Sequence, residues 1–286
     1  MTWIALASAV GMYGLMLLTV WAFQEKLIYA PTRTVFTDPR KAYGLDFEDL
    51  ELVTQDGVRI RAWYTPAENP RAVLLFCHGN GGNLAHRVDV IKGYRDLGLS
   101  SLLFDYRGYG RSEGKPSEQG TYLDAQAAWK FLVEERGIDS GRIILIGRSL
   151  GGPIAAHIAA KHQPAGLSLE AAATSAVEAG PQMFPFLPVS LLLRHRYDTV
   201  AWLQKVTCPV MISHGIRDRV IRFSHGKRLY ELAREPKRFL ELHGDHLEAH
   251  LDGTPDYPEA LSRFVDDCVG NGQDQIAEDV SDRMRL

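Results

Sequence analysis

Cysteine is scarce. Cys77, Cys208 and Cys268 are the three thiols in 286 residues, an odd and scattered set that excludes a disulfide scaffold and a paired CxxC zinc site. An excess of positive charge is also missing. The formal net charge is −3, so no broad basic field exists to hold nucleic acid, and no nucleic-acid partner is expected. Repeats and low-complexity tracts are absent too, and the ordinary hydrophobic and charged shares exclude a disordered, collagenous or coiled-coil chain. No H-E-x-x-H pair and no phosphate-cradling G-x-x-x-x-G-K-[ST] loop occurs, so neither a metal nor a nucleotide cofactor is expected.

The most telling absence is local. From Trp3 to Phe23 there is no charged side chain. A helix over 3–23 is long enough to cross a hydrocarbon core of ~30 Å. Trp3 and Trp21 stand near its two ends, where indole rings favour the interfaces. A cleaved signal peptide and a buried core helix are the alternatives. A signal would want a charged n-region and small residues before the cut, whereas Ala22-Phe23-Gln24-Glu25 ends this run. A single-pass membrane anchor is therefore expected. Lys26, Arg33, Arg40 and Lys41 follow it, which places the rest of the chain on the cytoplasmic side.

Beyond a linker over 24–46, residues 47–269 read as one α/β unit. Phe47–Val53 and Val58–Tyr64 suggest a hairpin around Asp56-Gly57. Apolar runs then alternate with helical patterns. Strands are expected at Ala72–Cys77, Ser101–Phe104, Arg142–Ile146, Gly166–Leu169, Pro209–Ser213 and Arg238–Leu242. Helices are expected at Leu84–Leu97, Tyr122–Glu135, Leu150–Lys161, His225–Arg234 and Tyr257–Val269. This alternation predicts a mostly parallel central sheet with helices on both faces. Residues 173–206 are too long for an ordinary connection and suggest a small helical lid over the strand ends; one more packing helix is the plainer alternative. Residues 270–286 read as a polar, mobile tail.

Gly147-Arg148-Ser149-Leu150-Gly151 follows one of these strands and opens a helix, the context in which G-x-S-x-G forms a nucleophile elbow. The neighbours of such a serine need almost no side chain, and Gly147, Gly151 and Gly152 meet that need. Gly110-Arg111-Ser112-Glu113-Gly114 matches the same expression but runs into Lys115-Pro116, a turn, so Ser112 reads as a solvated loop serine. Acyl transfer at Ser149 requires oxyanion donors. The N–H of Leu150 and, in the glycine-rich loop His78-Gly79-Asn80-Gly81-Gly82-Asn83, the N–H of Asn80 are the candidates; His78 reads as a loop-forming residue.

In an elbow enzyme the acid and then the histidine follow the serine in chain order. Asp218, after the strand Pro209–Ser213, is the candidate acid, with Glu170 in reserve. His246 is the candidate base, with His243 and His250 as rivals. Those three histidines with Asp245 also offer a metal-like ligand set, an alternative weakened by the missing zinc-peptidase motif.

Four segments in order, Phe76–Asn83, Asp105–Ser112, Gly147–Gly152 and His214–Asp218, resemble the alpha/beta-hydrolase superfamily. More narrowly, with Gln24-Glu25-Lys26-Leu27-Ile28-Tyr29 after the anchor, they resemble its N-terminally membrane-anchored alpha/beta-hydrolase-domain proteins, a group that includes protein depalmitoylases. The resemblance covers roughly Leu27 to Val269. It implies the alpha/beta-hydrolase fold, with Ser149 as nucleophile, Asp218 as acid and His246 as base. The chain departs from the group at Asp245-His246-Leu247-Glu248, where Gly-His-Asn-Asp is frequent, and at Arg222, where proline is frequent. The expected activity is hydrolysis of a small-molecule or lipid ester or thioester. A peptidase or amidase on the same residues, and a non-catalytic binding module, are the alternatives.

Overall fold

The structure, a computed structural model, describes residues 2–246 and 256–283, with side chains described from Trp3 and as far as Gly270. Its first element is the helix α1 (Thr2–Ile28). An 18-residue window within Trp3–Ile28 has a mean hydropathy of 1.8, and the helix is long and apolar enough to cross a membrane. Trp3 is 82% exposed, and the helix packs almost none of its apolar surface into the domain. The helix outlasts the charge-free run, because its turns continue through Glu25 and Lys26 after a departure from helical geometry at Phe23.

The segment expected as a linker is partly ordered. Ala30–Pro31 pairs in parallel with Gly81–Gly82, and a short helix, Pro39–Tyr43, is capped by Asp38 and ended by Gly44 in the left-handed region.

Among the described residues eight strands form one sheet. They are β1 (Glu48–Val53), β2 (Arg59–Thr65), β3 (Val73–Cys77), β4 (Ser100–Phe104), β5 (Ile143–Arg148), β6 (Gly166–Glu170), β7 (Val210–Gly215) and β8 (Lys237–Leu242). Their spatial order is β8-β7-β6-β5-β3-β4-β2-β1. β2 runs antiparallel to both β1 and β4, and the remaining pairs are parallel. The β1–β2 turn opens at Thr54 and closes at Val58, with Gly57 at φ +80°. A mostly parallel sheet with an antiparallel hairpin at one edge is what the alternation of runs predicts.

The apolar runs are continuous because both faces of the sheet are covered. Along β3, Leu75 and Cys77 enter one core with Leu145 of β5, while Leu74 and Phe76 enter the other with Ile144 and Ile146. Helices α3 (Glu118–Lys130), α4 (Gly151–Lys161) and α8 (Phe223–Leu232) cover the first face. Helices α2 (Val88–Asp96) and α9 (Asp256–Arg283) cover the second. Helix α3 starts four residues before its expected place, because Ser117 accepts the N–H of Gly120 and caps it there. Helix α9 runs past Val269 into the stretch read as a tail.

Three short helices make up the insertion between β6 and β7. They are α5 (Ala176–Met183), α6 (Val189–Leu192) and α7 (Thr199–Leu203). Ser175 caps α5 and Asp198 caps α7. Prolines 185 and 188 keep the intervening chain from joining one long helix.

Candidate active site

β5 ends at Arg148 and α4 begins at Gly151, leaving two residues for the turn. Ser149 sits there at φ +52°, a conformation that costs a non-glycine residue about 1–3 kcal/mol and persists where its surroundings dictate it. Its N–H donates to the carbonyl of Glu170 at 2.8 Å, and its own carbonyl accepts from Gly152 at 3.0 Å. The glycines are required by space. A Cβ on Gly151 would stand 1.9 Å from the carbonyl oxygen of Cys77, and one on Gly147 would stand 2.4 Å from that of Gly151. The end of β3 thus presses directly on the start of α4.

Three residues separated in sequence meet beside this turn. His246 Nε2 lies 3.0 Å from Ser149 Oγ, and His246 Nδ1 lies 2.7 Å from Asp218 Oδ2. Asp218 follows β7 and is buried. The backbone N–H groups of Val220 and Ile221 donate to its Oδ1 at 2.8 and 2.9 Å, and His214 Nε2 stands 3.3 Å from Oδ2. Burial alone would push this carboxyl up, but bonds from His214, His246 and Ile221 hold it well below the usual aspartate range. An ionised Asp218 fixes the proton of His246 on Nδ1 and leaves Nε2 to accept from the Ser149 hydroxyl. His243 is exposed, and His250 lies outside the described residues.

The loop that offers Asn80 is tied to the end of α1. Asn80 Nδ2 donates to the carbonyl of Ile28 at 2.5 Å, while its Oδ1 accepts from Ala30 N at 3.1 Å and from Tyr109 Oη at 2.7 Å. Asn80 and Leu150 both border the cavity that contains Ser149. His78 is fully buried, its Nδ1 is 2.7 Å from the carbonyl of Gly79, and burial pushes its pKa down to about 3. It is a neutral part of the loop.

Two expectations need correction. Ser112 is not solvated. It is completely buried, donates to the carbonyl of Asp105 at 2.8 Å and accepts from Arg61 N at 2.9 Å, so it pins its turn against β2. Glu170, the reserve acid, is committed elsewhere: Arg148 Nε donates to it at 2.7 Å, and Tyr257 Oη also donates to it.

A cavity of about 750 Å³ opens over Ser149. Met183, Leu187 and Leu193 of the insertion form one wall, and Val20, Leu27 and Ile28 of α1 form another. His86, Arg87 and Arg148 also border it. Arg87 donates to the carbonyl of Gly81 and has no carboxylate within ion-pair distance among the described residues. Burial pushes its pKa down to about 10, which leaves it cationic at neutral pH. Sequence reasoning missed the α1 wall, His86 and Arg87. Nothing in the order of residues signals that the apolar α1, or an arginine between two helical turns, returns to the serine.

A family model described as "Serine aminopeptidase, S33" matches residues 68–197. An uncharacterised protein of Mycobacterium tuberculosis is 34% identical over 257 residues, covering 89% of this chain and 91% of its own. The alpha/beta hydrolase domain-containing protein WAV2 of Arabidopsis thaliana is 33% identical over 275 residues, covering 86% of this chain and 88% of its own. The chain belongs to the alpha/beta-hydrolase family. An uncharacterised membrane protein of Saccharomyces cerevisiae is similar to this alpha/beta-hydrolase as well, at 32% identity over 235 residues, 79% of this chain and 83% of its own. Among solved structures, the esterase Pf2001 of Pyrococcus furiosus has a TM-score of 0.71 at 18% identity, covering 85% of this chain and 98% of its own. That last likeness is one of fold alone.

Proposed function

We propose that this alpha/beta-hydrolase is a membrane-anchored serine hydrolase that cleaves the carboxylic ester or thioester bonds of acyl-chain substrates. The observation that carries the reading is the unbroken line Ser149 Oγ, His246 Nε2, His246 Nδ1, Asp218 Oδ2, with gaps of 3.0 and 2.7 Å. His246 takes the hydroxyl proton as Ser149 Oγ attacks the carbonyl carbon. Asp218 stabilises the imidazolium that forms. The negative charge on the tetrahedral oxygen is met by the N–H groups of Asn80 and Leu150, at the N-terminal end of α4. His246 then returns its proton to the departing alcohol or thiol as the carbon–heteroatom bond breaks. Water, deprotonated by His246, cleaves the acyl-serine and restores Ser149.

The apolar walls of the cavity favour an acyl chain. α1 supplies the anchor, and the lysines and arginines that follow it put the domain on the cytoplasmic side. A peptidase reading has the description of the matching family model behind it. It is disfavoured by the charge of the cavity. Among the described lining residues there is no carboxylate to receive a free amino terminus, and the cationic Arg87 offers the wrong sign.

Stopped-flow hydrolysis of p-nitrophenyl esters and acyl-thioesters by the full chain in detergent tests the proposal. The expected result is a burst of one equivalent, kcat/KM that increases with chain length, and loss of both in His246→Ala. Faster turnover of aminoacyl anilides than of any ester would overturn it.

A further inference from the structure

The insertion is fastened to α1 at two levels. At the domain end, buried Gln24 donates to the carbonyl of Leu192 at 3.3 Å and accepts from Arg194 N at 2.8 Å. Arg194 pairs with Glu25 at 2.8 Å and lies over the ring of Trp21 at 4.9 Å. These residues make a charged and aromatic collar of the kind found at a membrane interface. The second level is far up the helix. Tyr13 Oη donates to the carbonyl of Phe186 at 3.0 Å. Tyr13 and the collar residue Trp21 are separated by about 12 Å of helix at 1.5 Å per residue, within the about 15 Å of hydrocarbon that one leaflet contributes. The tip of the insertion therefore stands beside the part of α1 that would lie inside a leaflet.

Its composition suits that place. Residues 183–193 contain no charged side chain. Phe186 is 86% exposed and Leu191 84%, with Met183 and Phe184 also exposed. In hydrocarbon, backbone carbonyls outside a regular helix need internal donors. The phenol of Tyr13 and the amide of Gln24 supply two of them from α1 itself.

The same two elements wall the cavity over Ser149. Val20, Gln24 and Leu27 face it from α1, and Leu187, Leu192 and Leu193 from the insertion. Val20 lies within the apolar run, above the Glu25 collar.

We infer that the insertion is immersed with α1 in one leaflet, and that the space between them is an acyl-chain site which a membrane lipid ester enters sideways from the hydrocarbon. The inference rests on reading α1 as a membrane anchor. The acyl chain then passes from bilayer to Ser149 without crossing water, and the ester group arrives at the level of the interface, where water for deacylation is present.

The test uses the full chain in phosphatidylcholine vesicles, with an environment-sensitive fluorophore on one introduced thiol at a time. The native thiols are poorly reactive: Cys77 and Cys268 are buried and Cys208 half-buried, and burial pushes the Cys208 and Cys268 thiols up to about 12 and Cys77 higher still. Leu15→Cys reports on α1, Phe186→Cys and Leu191→Cys on the insertion, and Glu134→Cys on the far side of the domain. The expected result is quenching by acyl-chain spin-labelled lipid at 15, 186 and 191, and none at 134. Quenching at 15 with none at 186 and 191 would overturn the inference and leave the anchor standing. No quenching at 15 would overturn both. The site itself is read by Leu27→Trp, which narrows the gap. The ratio of kcat/KM for a dodecanoyl ester to that for a butanoyl ester should fall about tenfold, a ratio insensitive to the amount of folded enzyme. An unchanged ratio would overturn the acyl-site assignment.

Discussion

Glu170 holds the turn of Ser149 with both its backbone and its side chain. Its carbonyl accepts the Ser149 N–H at 2.8 Å, and its carboxylate accepts Arg148 Nε at 2.7 Å. One residue at the end of β6 thus fixes two consecutive residues of the neighbouring elbow. Glu170 is fully buried and Arg148 nearly so, so their separation leaves a buried charge without a partner. Glu170→Ala should destabilise the fold by about 3–5 kcal/mol in a denaturant titration. The double change Arg148→Met with Glu170→Met should recover much of that loss. A single-variant cost within experimental error of zero would remove Glu170 from the account.

Gly151 gives a sharper steric prediction. Its missing Cβ would overlap the carbonyl oxygen of Cys77, a backbone atom of a central strand that has nowhere to move. Gly151→Ala should abolish activity and cost several kcal/mol, about the upper range of overpacking in a dense core. Thermal unfolding of the variant checks this, and a melting temperature equal to wild type would contradict it.

Asn80 joins the loop over the serine to the end of α1 through Ile28, Ala30 and Tyr109. Asn80→Ala keeps the backbone N–H but releases all three ties. Misplacing a donor by about 1 Å can reduce a rate by about 100-fold. The expected outcome is a fall in kcat of up to that size, with a smaller change in KM. A rise in KM at constant kcat would assign Asn80 to substrate binding instead.

Asp105 supplies a pH dependence whose sign is fixed. Burial pushes its pKa up to about 7, offset in part by the Leu84 N–H and by Arg87 and Arg111. An unfolded aspartate ionises near 3.9. Between about pH 4 and 7 the unfolded chain has therefore released a proton that the fold retains, and this residue lowers stability as pH rises. His78 beside it is already neutral in the fold across that window. Asp105→Asn should gain stability relative to wild type progressively from about pH 4 to about 7 and hold a constant difference above that. Chemical denaturation at several pH values measures the difference. A pH-independent difference would contradict the burial argument.

How much of this was legible in sequence depends on the range of the interactions. The strands were legible because Leu74, Phe76, Ile144 and Ile146 are local apolar runs, and sheet faces follow from alternation. The elbow was legible because glycines 147, 151 and 152 answer a local steric demand. Asp218 and His246 could be named from their places after β7 and β8, and the fold brings both to Ser149. Ser112 was misplaced because it is held against Arg61, 51 residues away in sequence. The cavity wall at Val20 and Leu27 was invisible for a similar reason: apolarity in α1 signals a membrane span, and a second duty on the same residues leaves no additional mark. Arg87 bears no local sign of its place near the serine.

The central claim is that Ser149 is the nucleophile. Label the full chain with a fluorophosphonate and locate the adduct by peptide mass spectrometry, in wild type, Ser149→Ala and Ser112→Ala. The account predicts one phosphonylated peptide containing Ser149, lost in Ser149→Ala and retained in Ser112→Ala. An adduct at another serine, or a folded wild type that takes no label, would contradict it and favour a hydrolase fold kept for binding.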